Sequence, residues 1–252
     1  VLEHDKGNLL VASVLKFKKK VEQSINRSVS EPQASLVAGI LIGSRQGIPQ
    51  DLLDQFNITG ITHIIAISGY NITIIVLLLM NLGKSLSINR KKMIWAIIIG
   101  LIFFVILTGM SASVVRAAIM GGIVVFARHI GRRSNVRNVL VLSALIMVFI
   151  NPKILIWDAG FQLSFISTIG LVYLTPKLER YLKWLPSKLA IRENLTCTIS
   201  AIVMTLPLIL FQFHRLSIVA PIVNLIVLPV IPISMFVGFL MFLSSLVHPL
   251  LG

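Results

Sequence analysis

Acidic residues are scarce in this chain: 9 Asp and Glu are spread over 252 residues, and all charged residues together make up only 13%. Soluble domains carry about a quarter of their residues charged. With 56% hydrophobic residues and a mean hydropathy of +0.92, the surface cannot be kept in water, and lipid must be the solvent. A single cysteine, Cys197, excludes an internal disulfide, and its apolar sequence neighbours argue against a reactive thiolate. The five histidines (His4, His63, His129, His214 and His248) are scattered, without a His-x-His pair or a helix of paired carboxylates, so neither a metal shell nor any other cofactor is expected. No glycine-rich phosphate loop with its lysine is present, which excludes ATP hydrolysis by this segment alone. Residues 1 to 30 lack the ordered basic, apolar and small-residue zones of a signal peptide, and the first residue is Val1, so the chain is expected to be a piece of a longer protein.

What is abundant is basic charge and apolar sequence. The 23 Lys and Arg residues give a net charge of +14, which fits either a polyanionic partner or the basic excess of cytoplasmic loops. Leu9, Leu10, Val14, Leu15, Phe17 and Val21 alternate with Lys16, Lys18, Lys19, Lys20 and Arg27, the pattern of a basic amphipathic helix on a bilayer surface. Leu36 to Ile42 is too short to cross the hydrocarbon and reads as interfacial or re-entrant. Spans are read at Ile58 to Leu82, Met93 to Leu107, Ser111 to Ala127, Val136 to Ile150, Phe161 to Leu174, Leu195 to Phe213, and in a proline-broken stretch from Ile218 to Val247. The expected fold is therefore an all-α, polytopic transmembrane helical bundle of about seven spans, with short re-entrant or broken helices. Residues 1–57 form extracytoplasmic amphipathic and re-entrant helices, and residues 58–252 the transmembrane domain.

Basic residues crowd alternate loops: Lys84 with Arg90, Lys91 and Lys92; Arg128 with Arg132, Arg133 and Arg137; Lys177 with Arg180, Lys183, Lys188 and Arg192. These loops are expected in the cytoplasm, which places the N-terminus outside.

The polar residues inside the spans are the candidate site. Arg116 sits at a depth where a charge costs about 2.5–3.5 kcal/mol, so it must face protein or water, either as a structural ion pair with Asp158 or as a phosphate contact. His63, Ser68 and Asn71 belong to a polar, small-residue run around Gly69 that fits close helix packing or a local break. Asp158, Gln162 and Ser164 lie at the entry of the fifth span, and Pro221, Pro229 and Pro232 surround Asn224 in a stretch that fits a broken helix lining a cavity. Ala66-Ile67-Ser68-Gly69 also invites a serine hydrolase reading. His63 is five residues earlier on the same helix and projects elsewhere, which argues against it.

Taken in order, these segments resemble the competence domain of the ComEC family of bacterial DNA-uptake proteins. The resemblance runs through Glu31-Pro32, Gly43-x-Arg45, the run Thr59 to Gly69, Thr108-Gly109 with Ser113 and Arg116-Ala117, Gly131-Arg132, Pro152, and Gly160-Phe161-Gln162-Leu163-Ser164-Phe165. It closes on Phe213, Leu216-Ser217, Pro221, Asn224 and Pro229. Tyr70-Asn71 departs from the family's more frequent Leu-His, so a role needing a titratable group there is put in doubt.

The resemblance implies a channel that takes up single-stranded DNA across the bacterial cytoplasmic membrane during natural transformation, and not an enzyme. Its path would run past His63, Ser68, Asn71, Arg116, Asp158, Gln162, Ser164 and Asn224, with helix breaks at Gly69, Pro221, Pro229 and Pro232. The implied partners are single-stranded DNA, the bilayer, a cytoplasmic ATP-driven translocase, an extracellular DNA receptor and soluble domains of a longer protein. Two alternatives stand beside it: a secondary transporter for a small anion, and a structural membrane anchor. Against the transporter stand the lack of an internal repeat and of intramembrane acidic residues for ion coupling.

Overall fold

The computed structural model describes residues 9–44, 47–65, 69–184, 191–214 and 217–247, and among these every regular element is a helix. In chain order they are α1 (Leu9–Ser28), α2 (Gln33–Ile42), α3 (Gln50–Thr59), α4 (Thr62–Ile65), α5 (Gly69–Ser85), α6 (Arg90–Leu107) and α7 (Ala112–His129). There follow α8 (Val136–Ile150), α9 (Ile154–Trp157), α10 (Ala159–Tyr173), α11 (Thr175–Tyr181), α12 (Ile191–Phe213), α13 (Ala220–Val227) and α14 (Val230–Val247). The fold is all-α, as the apolar periodicity implies.

Helices occupy each of the seven apolar stretches, but their lengths differ from a row of simple spans. Two of them, Ala112–His129 and Arg192–Phe213, are long and apolar enough to cross a membrane unaided. Two more crossings arise if each bent pair counts as one: α10 with α11, bent by 45°, and α13 with α14, bent by 43°. Pro229 lies in the second joint, where it has no N–H to continue the α13 ladder. The stretch from Ile58 to Leu82, read as one span, is divided: α3 ends at Gly60 with φ +74°, and α5 begins at Gly69.

Local capping explains where several helices start. Lys91 and Lys92 sit unfavourably at the positive end of the α6 dipole, and the Asn89 side chain offsets this by accepting from the Lys91 N–H at 3.1 Å. Asn135 caps α8 in the same way, accepting from the Arg137 N–H at 3.0 Å.

The largest core cluster joins α1, α2, α5, α6, α7 and α14, with Ile25, Ile97 and Val114 fully enclosed. α1 uses its apolar face here: Val14, Val21 and Ile25 are buried, and the Phe17 ring meets Phe103 and Phe242 edge-on at 5.5 and 5.6 Å. The sequence pattern assigns that face to the bilayer surface. The structure gives it to the helices α6 and α14, while Lys16, Lys19, Lys20 and Arg27 stay exposed. A second cluster packs Phe161 and Phe165 of α10 against Leu140 and Met147 of α8. Around these cores, Ile99, Ile102, Val141, Leu145 and Phe211 are turned outward, a surface for lipid tails and not for water.

The most extensive helix pair is α10 with α12. It is built from small residues: a Cβ on Gly170 would stand 2.7 Å from the Ser200 carbonyl oxygen and 2.8 Å from Met204, and just beyond, at the first residue of α11, Thr175 Oγ1 donates to Ser200 Oγ at 2.9 Å. Close backbone approach of this kind holds helices together where no hydrophobic drive exists between them. Gly170→Ala is therefore expected to force α10 and α12 apart at a cost of about 1–3 kcal/mol, read as a lowered thermal midpoint in detergent. Gly122→Ala in α7, where the added methyl meets nothing within 4 Å, is expected to leave that midpoint unchanged or to raise it.

Candidate functional site

Arg116 projects from the second turn of α7 toward α10. Its Nη1 donates to the Ser164 carbonyl oxygen at 2.8 Å and to the Thr168 hydroxyl. Thr168 Oγ1 donates to the same Ser164 carbonyl at 2.8 Å, and the Phe165 ring lies 5.7 Å from the guanidinium carbon. On the other side is α5, where a Cβ on Gly69 would sit 3.6 Å from Arg116 Nη2 and 3.5 Å from Ala117. The bare backbone of Gly69 thus leaves room beside the guanidinium. Arg116 Nε and Ser164 Oγ are buried with no hydrogen-bond partner.

Arg116 bonds to a carbonyl and a hydroxyl, and Asp158 is engaged elsewhere. The Asp158 carboxylate caps α10, accepting from the Phe161 N–H at 2.9 Å. An N-cap satisfies an otherwise orphaned donor and places the negative charge at the positive end of the helix dipole. Among the described residues no ion pair joins Arg116 to a carboxylate, so the structural ion pair is not how this arginine is held.

Gln162 stands on the other side of α10. Its Nε2 donates to the Leu155 and Ile156 carbonyls at 2.9 and 3.0 Å, tying the short α9 back onto α10. Its Oε1 accepts from Gln212 Nε2 at 2.7 Å, which links α10 to α12. Gln212 is absent from the residues picked out by sequence, although it is a lone amide between two phenylalanines in an apolar run. Its Oε1 is buried and without a partner. Residues 162 and 164 are separated by about 200° around a helix, so the arginine cluster and the glutamine pair occupy different sides of α10.

Asn71 is 2% exposed on α5, and its Nδ2 donates to the Ile40 carbonyl at 3.0 Å. That carbonyl is in the last turn of α2, where no intrahelical donor remains for it. Asn71 thereby pins α2 to α5. His63 is exposed on α4, with Nδ1 3.1 Å from the Gly60 carbonyl oxygen. Gly60 in turn presses on the start of α13: a Cβ there would fall 2.8 Å from Ala220 and 2.9 Å from Ser217. Asn224, one turn beyond Ala220, is 4% exposed, and its Oδ1, like Ser217 Oγ, has no partner. Pro221 stands in the first turn of α13, Pro229 in the joint, and Pro232 in the first turn of α14. Ser68 lies outside the described residues. Among the described residues no group of His, Cys, Asp or Glu could hold a metal ion.

The candidate residues thus fall into four polar groups: three joined by hydrogen bonds, Arg116 with Ser164 and Thr168, Gln162 with Gln212, and Asn71 with α2, and the region of Ser217 and Asn224, whose Oγ and Oδ1 have no partner. In a double-mutant cycle, Gln162→Leu and Gln212→Leu are expected to couple by about 0.6 kcal/mol and by no more than about 1.7, the average and the maximum for side-chain hydrogen bonds between membrane helices. Strictly additive losses of stability in detergent would show that the pair does not form.

Comparison with known proteins bears on this arrangement. The chain is 27% identical over 216 residues to ComE operon protein 3 of Bacillus subtilis (strain 168), a match that covers 86% of this chain and 27% of that protein. The chain thus spans about a quarter of the length of that relative. No solved structure matches it. The family model described as Competence protein matches residues 40–252, from the end of α2 through all four polar groups, and the chain belongs to that family.

Proposed function

We propose that this chain is the membrane-embedded conduit of a DNA-uptake protein, passing single-stranded DNA inward across the bacterial cytoplasmic membrane. In this reading it crosses the membrane several times, with its basic loops in the cytoplasm and residues 1–57 outside. The observation that carries it is Arg116: a guanidinium among packed helices, held by a carbonyl and a hydroxyl and paired to no carboxylate among the described residues. A charge at such a depth is costly and marks a pathway or a partner. Held by neutral oxygens, it keeps its whole positive charge for a passing anion. Family membership points to DNA as that anion.

A phosphate entering an inside-negative cell moves against the field, at about 2.3 kcal/mol per charge per 100 mV. Passive flow would therefore run outward, and a cytoplasmic ATP-driven partner must pull the strand. The domain's part is to offer weak, spaced contacts, because a tight phosphate clamp would stall the strand. Asn71, Gln162 with Gln212, and Asn224 supply neutral contacts, His63 a further polar one, and Arg116 the permanently charged one. Such contacts carry no base information, so uptake is indifferent to sequence.

Arg116→Leu, placed in the full-length protein of a transformable cell, is expected to lower DNA uptake at least tenfold while membrane insertion and thermal midpoint stay near those of the unaltered protein. Normal uptake, or a loss matched by loss of the folded protein, overturns the role given to Arg116. Flux assays on the reconstituted chain separate the rival anion transporter, which would pass small anions and no polymer.

A further inference from the structure

A surface of a different kind lies at one of the basic-loop ends of the molecule. α11 turns 45° away from α10 and packs against α12. At 100° per residue, Thr175, Leu178 and Leu182 fall on one side of it, and these are buried or half-buried against the protein. Lys177, Arg180 and Tyr181 fall on the opposite side, and Lys183 and Trp184 follow in the turn. All five are exposed, Tyr181 at 80% and Trp184 at 79%. Glu179 sits between the two faces, half-buried. Just before α11, the exposed Tyr173 ring stands 4.9 Å from the Arg137 guanidinium carbon.

This stripe is cationic and aromatic at once. A helix lying in a lipid interface separates those properties, with leucines and rings toward the acyl chains and cations toward water. Here the leucines turn to the protein, and the rings share the outer face with the cations. A single nucleic-acid strand presents the matching alternation of phosphates and flat bases, and surfaces that bind such strands without reading sequence combine a basic track with aromatic stacking.

We infer that the α11 stripe is a platform for single-stranded nucleic acid, with bases stacking on Tyr181 and Trp184 and phosphates held by Lys177, Arg180 and Lys183. The inference rests on the conduit reading and on the cytoplasmic placement of the basic loops, and it marks where the strand leaves the membrane.

The test uses the chain in nanodiscs of zwitterionic lipid and two fluorescent probes of about 20 nucleotides, longer than the ~4–16 nucleotides of common single-strand sites. One probe is oligothymidylate; the other is an abasic phosphodiester of equal charge. Trp184→Ala and Tyr181→Ala are each expected to weaken oligothymidylate binding roughly 5- to 100-fold and to leave the abasic strand unaffected, with Trp184→Phe retaining most of the affinity. Lys177→Ala with Arg180→Ala is expected to weaken both probes and to flatten the log affinity against log salt slope by about 1.4. Equal losses for both probes in the aromatic variants, or none in either, overturn the platform. So does quenching of Trp184 by brominated lipid and not by oligonucleotide, in a chain with Trp95 and Trp157 replaced by Phe, which would make the stripe a membrane anchor. Conduction is read separately by polymer flux: a chain that binds strands on α11 but passes none sinks the conduit, and one that conducts normally with both rings removed sinks the platform.

Discussion

Lipid offers no hydrogen bonds, so a polar group that a helix carries to membrane depth must find its partner inside the protein. That constraint accounts for the way Arg116, Asn71 and Gln162 are held. Each reaches a backbone carbonyl on another element: Ser164 on α10, Ile40 at the end of α2, and Leu155 and Ile156 on α9. All but that of Ser164 lie in a helix end or a short helix, where the intrahelical ladder runs out. Short, interrupted helices and intramembrane polar side chains are thus two halves of one arrangement: the breaks expose carbonyls, and the side chains cover them.

α10 is the element on which most of this converges. One side faces α7 with Ser164, Phe165 and Thr168; another faces α12 with Gln162 and Gly170; Asp158 caps its start, and α11 bends from its end. A helix serving two neighbours needs a small residue where one comes close and polar groups where the other carries charge. Its apolar residues are therefore spread around the whole circumference, and from sequence it reads as an undifferentiated apolar run with a few interruptions.

That is why the fold class is legible in the sequence and the pairings are not. Composition and the spacing of apolar stretches fix an all-helical membrane bundle, and the proline cluster marks the α13–α14 joint. Arg116 stands out because its desolvation cost demands a reason. Its partners do not, since a serine carbonyl and a threonine hydroxyl leave no mark in a sequence, and Asp158, the natural candidate for a counter-ion, is spent on a helix cap. Gln212 escapes notice because a single amide between Phe211 and Phe213 has no periodicity to flag it. α1 is legible as amphipathic, but an apolar face looks the same whether it is covered by lipid or by α6 and α14.

The separation of the polar groups sets what conduction would require. Arg116 and the Gln162–Gln212 pair lie on different sides of α10, so a lane touching both must open by moving α10 against α7 or α12. Side-chain hydrogen bonds between membrane helices average about 0.6 kcal/mol, which makes the two groups together a barrier of only a few kcal/mol. Drawing one phosphate inward against 100 mV already costs about 2.3 kcal/mol. The motor proposed above, able to do that work repeatedly, would also part these contacts, and their weakness would let them close again behind the strand. Arg116 differs from the rest, because its charge cannot be left without partners in lipid; in the proposed conduit a phosphate would replace the Ser164 and Thr168 oxygens as α10 withdraws. In the proposed conduit the strand would thus be both the cargo and the ligand that stabilises the open state, and the closed contacts would be the resting seal against ion leakage.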